Sequence, residues 1–346
     1  RGEYMNYERE YVVEKLVDLV KIPSPSGFTE KAIEYIGKEL LRMGFEPQYT
    51  NKGACYVCVG GEESPVTFAA HVDTLGAMVK SLKPNGRLEI TPIGGYMMNS
   101  VEGENCEIHT KNGKVYTGTI QTVAPSVHVF ENARKIERKP ANMEVRLDEI
   151  VKTREDLEKL GIEAGDFISF DPRVVVTKSG FIKTRHLDDK ASVAVLLAVA
   201  KDVSEGKLKL SRKTYLFFSN YEEVGHGASS GIPADSTEII SVDMGAVGDT
   251  LGTDEYVVSI CAKDSGGPYD SRLVKKLIKK AKEAGVDYSV DIYPFYGSDV
   301  EASLRAGYDV VFGLIGPGVE ASHGYERTHY KGLENTIKLI ESYLKG

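Results

Sequence analysis

The spacing of apolar residues changes character twice along the chain, and the changes divide it into three stretches. In the first, EYVVEKLVDLV (10–20) places Val12, Leu16, Leu19 and Val20 on one face of a helix. A second helix is expected over about 29–43, with Ile33, Ile36 and Leu40 on its inner face and Gly44 as the C′ residue. Short strands follow around 45–50 and 54–59, and then the run VTFAA (66–70), which ends at His71. That run is apolar throughout rather than alternating, as a strand covered on both faces should be.

Residues 75–183 read differently, as short strands punctuated by turns, with Asn85-Gly86 and Asn112-Gly113 as hairpin signals. One helix interrupts them: TREDLEKLG (153–161), where Thr153 and Asp156 are placed as a capping box and Gly161 as terminator. The stretch is expected to form a small β-barrel. The αβ alternation then resumes. DDKASVAVLLAVAKDV (188–203) reads as a buried helix, and TYLFFS (214–219), EIISVD (238–243) and YVVSI (256–260) read as strands. A helix over 270–284, a strand over YDVVFGLIG (308–316) and a closing helix over 331–345 complete the pattern. The expected domains are therefore a discontinuous α/β unit, 1–74 plus 184–346, and a β-rich insertion, 75–183.

Composition narrows the function. With 346 residues, two domains are the prior expectation. The net charge of −8 offers no basic stripe for nucleic acid or an anionic membrane. No apolar run approaches the roughly 20 residues of a membrane span. The opening RGEYMNYERE has no apolar export segment, and the residues before Met5 have the look of a cloning remnant. Of the four cysteines, Cys55 and Cys58 form a CxxC; without a second such pair they read as ordinary strand residues, in keeping with a cytoplasmic protein.

Acids and histidines gather where the expected strands end. His71 and Asp73 follow the run 66–70, Asp188 and Asp189 open a helix, and Glu222 and Glu223 follow 214–219. Asp243 closes 238–243, and His323 lies beyond 308–316. In α/β sheets this carboxyl edge is where ligands bind. Singly, each has an ordinary explanation, such as a strand-end hydrogen bond or acids at a helix N-terminus. Together they would crowd negative charge, which two divalent cations would relieve. Histidine nitrogen and carboxylate oxygen suit zinc, cobalt or manganese. Two ions about 3.5–4 Å apart need a bridging carboxylate, a role that suits Asp188 because a helix N-terminus orients it.

HVDT, RHLDDKAS, YEEVGHGAS, SVDMG and SHGYE occur here in order. In that order and spacing they resemble the tetrahedral or glutamyl aminopeptidases, co-catalytic metallopeptidases that include members labelled endoglucanase or deblocking aminopeptidase. The resemblance covers nearly the whole chain. It implies a mixed-sheet phosphorylase/hydrolase-like zinc-peptidase domain with an inserted barrel that serves dimerisation and assembly to a dodecamer. It implies two divalent ions per subunit held by His71, Asp188, Glu223, Asp243 and His323. Glu222 would be the general base, and Asp73 an acid that orients His71. Water shared by the ions would lose its proton to Glu222 and attack the peptide carbonyl. Short peptides with a free N-terminus would be the substrates. Asp264, Ser298 and Asp299, in AKDSGGPYD (262–270) and YGSDVEAS (296–303), match stretches that line the first side-chain pocket in relatives. Asp264 or Asp299 would either favour a basic side chain or order a loop. The chain departs from its relatives at GPGVEASH (316–323), where they carry an Arg-Tyr pair before the last histidine.

Two rival functions remain at this stage. One is glycoside hydrolysis, which needs two carboxyls across the bond and is poorly served by a chain with no Trp. The other is a non-catalytic assembly protein with a vestigial metal site.

Overall fold

The computed structural model describes residues 10–345. The opening segment, on which the expectations about an export signal and about the residues before Met5 rest, lies outside the described residues except for Glu10. Among the described residues no helix is long and apolar enough to cross a membrane.

The largest sheet is mixed. Its order runs Gln48–Tyr49, Cys55–Gly60, Thr214–Ser219, Val66–His71, Glu238–Val242, Val311–Val319 and Val258–Asp264, with Gly267–Pro268 and Tyr288–Ile292 on the last of these. Four central strands are parallel: Thr214–Ser219, Val66–His71, Glu238–Val242 and Val311–Val319. Their register puts Ser219 beside His71 and Ser241 beside Ala69, so the strands end together. Both Val66–His71 and Thr214–Ser219 are buried along their whole length, the burial that their unbroken apolar sequence calls for. On one face lies the helix Leu187–Ser204, packed with Glu10–Val20 and Tyr330–Leu344 around Phe68, Leu196 and Ile337. The other face carries a smaller core around Phe217, Ile239 and Val300.

The chain leaves this sheet after His71 and enters a closed six-stranded barrel, ordered Gly76–Leu82, Leu88–Ile93, Met143–Leu147, Val115–Thr122, Asn105–His109 and Phe167–Phe170. Closure removes the exposed strand edges that an open sheet of this size would carry. The barrel has its own core, including Val79, Ile90, Ile108, Ile120 and Val145. Both Asn-Gly pairs lie in the links between antiparallel neighbours. The helix Arg154–Leu160 has the capping box of Thr153 and Asp156, and Gly161 ends it at φ +83°. Beyond the barrel, Phe181–Thr184 pairs with Val175–Val176 on one side and Glu326–His329 on the other in a separate three-stranded sheet.

Three details differ from the sequence pattern. The strand expected at 256–260 is Val258–Asp264, and the one expected at 308–316 is Val311–Val319. The strands Tyr288–Ile292 and Glu326–His329 and the seven-residue helix Asp299–Arg305 carry no clear periodic signal, being too short for one. Cys55 is buried and Cys58 exposed on opposite faces of one strand, and all four cysteines are free.

Leu196 is fully buried between the helices and the main sheet. Leu196→Ala is expected to cost about 2–5 kcal/mol in equilibrium denaturation; a loss under about 1 kcal/mol would mean that this helix does not anchor the core.

Candidate metal centre

Because the parallel strands end level with one another, the residues just beyond them meet. His71 closes Val66–His71, Asp243 follows Glu238–Val242, and the chain turns after Thr214–Ser219 so that Glu222–Val224 forms a short 3₁₀ turn. Neighbouring residues within a strand point to opposite faces, but Glu222 and Glu223 lie in this turn, beyond the end of the strand. Here the backbone has already left the pleat, and both glutamates turn towards the histidines.

Two triads result. The ligand atoms of His71, Asp188 and Asp243 all lie within 4.8 Å of one another, and so do those of Asp188, Glu223 and His323. Asp188 belongs to both. Its Oδ1 is 3.1 Å from His71 Nε2, and its Oδ2 is 3.3 Å from His323 Nε2. Glu223 Oε2 is 3.5 Å from His323 Nε2, and Glu222 Oε2 is 3.7 Å from His71 Nε2. The five residues expected to hold ions thus come together, with Glu222 beside them.

Each imidazole is aimed by a carbonyl on its other nitrogen. His71 Nδ1 donates to the carbonyl of Asp73 at 2.9 Å, and His323 Nδ1 donates to the carbonyl of Gly95. Both rings therefore present Nε2 to Asp188. His323 sits at φ +64°, a left-handed conformation uncommon for a residue with a side chain.

The carboxylate of Asp73 has a further task besides facing His71. It lies 3.6 Å from His71 Nδ1. Its close contacts are with the Ser26 hydroxyl at 2.5 Å and the backbone N–H groups of Glu222 and Glu223 at 3.1 and 3.3 Å. Asp73 is fully buried. It holds the glutamate turn, while its own main chain holds the histidine.

Glu326 performs the equivalent task on the other side, and the sequence reading gave it no role although the SHGYE motif ends on it. One oxygen accepts from the backbone N–H groups of Leu187 and Asp188 at 2.5 and 3.2 Å, and the other accepts from His323 N–H at 3.1 Å. Asp188 and His323 are thereby tied together by a buried carboxylate. The helix N-terminus alone does not orient Asp188: at Asp188 and Asp189 the backbone departs from helical angles. Ser322 adds a hydroxyl to Asp188 at 3.0 Å. A Cβ at Gly316 would lie 1.8 Å from the Asp243 carbonyl oxygen, so the altered GPG segment needs glycine to let the Asp243 turn approach.

The charges are in conflict. Burial, with Asp188 next in weight, pushes the Asp243 carboxyl up to about 7. Burial also raises Glu222 and Glu223 well above the usual carboxylate range, with neighbouring acids adding to the shift and the histidines opposing it. Burial works against the Asp188 anion too, yet contacts with His323 and His71 outweigh it and hold its carboxyl low. For His323, burial opposes the charged ring, but Asp188 and Glu223 lift it to about 10. Glu223 Oε1 is buried without a hydrogen-bond partner. Oxygen and imidazole donors, a carboxylate shared between two triads and an unpartnered buried oxygen together form a donor set suited to divalent cations.

The three residues expected at the substrate pocket are not among those that line the cavity over the triads. Asp299 accepts from Ser219 Oγ at 2.5 Å and from Ala228 N–H at 2.8 Å. Asp264 accepts from the Tyr269 hydroxyl at 2.5 Å and from Gly266 N–H at 3.0 Å, and Ser298 contacts the same hydroxyl at 3.1 Å. All three are buried, and these contacts order the loops around them. The cavity over the triads is lined instead by Tyr96, Met97, Met244, Phe295 and Tyr296, with small residues between them.

Residues 53–339 match a family model described as M42 glutamyl aminopeptidase. YhfE of Bacillus subtilis (strain 168), named for aminopeptidase activity, is 50% identical over 335 residues, 96% of this chain and 97% of that protein. Among solved structures, a TET aminopeptidase from the marine sediment archaeon Thaumarchaeota archaeon SCGC AB-539-E09 superposes with a TM-score of 0.88 at 19% identity, covering 96% of each chain. The TET1 peptidase of Pyrococcus horikoshii, which can assemble into a tetrahedron or a large octahedral shell, superposes with a TM-score of 0.85 at 23% identity. That match covers 96% of this chain and 99% of the other. The two structures share the fold.

Asp73→Ala would leave the Ser26 hydroxyl and two backbone N–H groups without their acceptor. It is expected to cost about 3 kcal/mol or more in denaturant unfolding, and an unchanged midpoint would show that the glutamate turn holds itself.

Proposed function

The chain belongs to the M42 glutamyl aminopeptidase family, and we propose that it removes N-terminal residues from short peptides at a dinuclear metal site with Glu222 as general base. The observation that carries this reading is Asp188, whose two oxygens face His71 in one triad and His323 in the other. His71 and Asp243 would hold one ion, Glu223 and His323 the other, with Asp188 between them. Zinc and cobalt suit these donors, and manganese is tolerated. Two such ions, when bound, would acidify a water and polarise the scissile carbonyl.

The remaining work falls to the chain. Glu222 shares a turn with Glu223 but not its partners, and it faces the cavity. Burial raises its carboxyl, and Asp243, Asp299 and Glu223 add to this against the pull of His71. A carboxyl raised above the usual carboxylate range suits a group that takes a proton from water and returns it to the departing amine. Asp73 and Glu326 act as positioning residues, since they keep the glutamate turn and the Asp188–His323 pair in place through backbone N–H groups. The glycosidase alternative is disfavoured because Glu223 faces His323 and Asp188, which leaves Glu222 without an opposing free carboxyl in the cavity lining.

The inserted unit, 75–183, is proposed to carry self-association into dimers and a dodecamer. Its surface exposes Val127, Val129, Phe130 and Ile150, at 55%, 74%, 38% and 96% respectively, apolar area that an interface would cover. Four free cysteines fit a reducing compartment, the cytoplasm.

Glu222→Gln is expected to keep its zinc content and lose about 10²–10⁴-fold in kcat on aminoacyl-arylamides; full activity with metal retained would remove Glu222 as the base. Val129→Asp is expected to lower the assembly mass in sedimentation velocity, and an unchanged distribution would place the interface elsewhere.

A further inference from the structure

The cavity above the triads has a volume of about 690 Å³. Apart from the triad residues and Glu222, no charged side chain lines it. Its walls divide by chemistry. The floor holds Asp188, Glu222, Glu223, Asp243 and His323, and the remainder is Tyr96, Met97, Met244, Phe295, Tyr296 and small residues. Met97 and Phe295 are 75% and 96% exposed. Large apolar side chains left in water at the mouth of a cavity mark a surface that a ligand covers. Met244 is buried, and its carbonyl accepts from the Tyr296 hydroxyl at 2.7 Å, which fixes the ring in the wall.

Resting on the aminopeptidase reading, we propose that the pocket takes an uncharged, apolar first side chain, such as leucine, methionine or phenylalanine, against Met97, Met244, Phe295 and Tyr296. A glutamate side chain would find no cation there. A lysine side chain would find no free anion. Asp264 and Asp299, the acids that could have served it, are buried, occupied by Tyr269, Gly266, Ser219 and Ala228, and absent from the cavity lining. The floor would not help lysine either, because the ions of the proposed site would offset the charge of Asp188, Glu223 and Asp243, and Glu222 is the base of that reading. An unpaired charge in such a pocket loses its hydration without return. An apolar side chain gains there, and each methylene that fits is worth about tenfold or more in specificity. Methionine thioethers adapt to several shapes, so the three apolar substrates should differ less from one another than from the charged ones.

The test uses the zinc-loaded full chain and the p-nitroanilides of leucine, methionine, phenylalanine, glutamate and lysine. The expected result is kcat/KM at least about tenfold higher for each of the first three than for the last two. Preference for glutamate or lysine would overturn the pocket assignment while leaving the enzyme an aminopeptidase. Hydrolysis of none of the five would overturn the aminopeptidase reading and the pocket with it. Met97→Glu provides a second arm. It should raise the lysine-to-leucine ratio of kcat/KM about tenfold, and an unchanged ratio would show that the side chain does not lie against Met97.

Discussion

Asp188 sits between two imidazoles with a second acid at each flank, and these three carboxylates are almost wholly withdrawn from bulk water, while the His323 ring is partly exposed. Carboxylates so placed repel one another strongly in a medium of low polarity. The pKa directions express that conflict: Asp188 is held low by its histidines, while Glu222, Glu223 and Asp243 are driven up. A fold that only needed stability would replace such a cluster with apolar residues. Its retention at the end of a parallel sheet is the constraint to which the surrounding elements answer.

The surroundings answer with two buried carboxylates that never enter the cluster. Asp73 collects Ser26 and the N–H groups of the glutamate turn, and Glu326 collects those of Leu187, Asp188 and His323. Charged acceptors make stronger hydrogen bonds than neutral ones. They also act on the backbone, so the triad side chains are positioned without being engaged themselves. Asp73 reaches the glutamates from 149 and 150 positions away in sequence, and Glu326 reaches Asp188 from 138. The two clamps therefore join strand ends that only the sheet brings together.

The barrel is part of the same arrangement. It departs from the main sheet just after His71, and its Gly95 carbonyl sets the tautomer of His323. Arg185, buried at the return point, donates to the carbonyls of Ser100 and Gly324 and so pins a barrel loop to the His323 loop. Tyr96 and Met97 extend that loop into the cavity wall. An insertion that reads in sequence as a separate module thus supplies both a prop for His323 and part of the cavity wall.

The periodic elements were legible in the sequence because their signals are local. The helices Glu10–Val20 and Leu187–Ser204, the strands Val66–His71 and Thr214–Ser219 and the capping box at Thr153 each follow from neighbours within a few residues. The acids and histidines could also be assigned to strand ends, which is where the sheet brings them together. What the sequence by itself determined was the set of donors and the elements that carry them. The tertiary structure decided their partners: Asp73 on the glutamate turn, Glu326 on Asp188, Asp264 on Tyr269 and Asp299 on Ser219. Most of those choices rest on hydrogen bonds between residues far apart along the chain, whose geometry exists only once the strands are in register, and no local pattern encodes it.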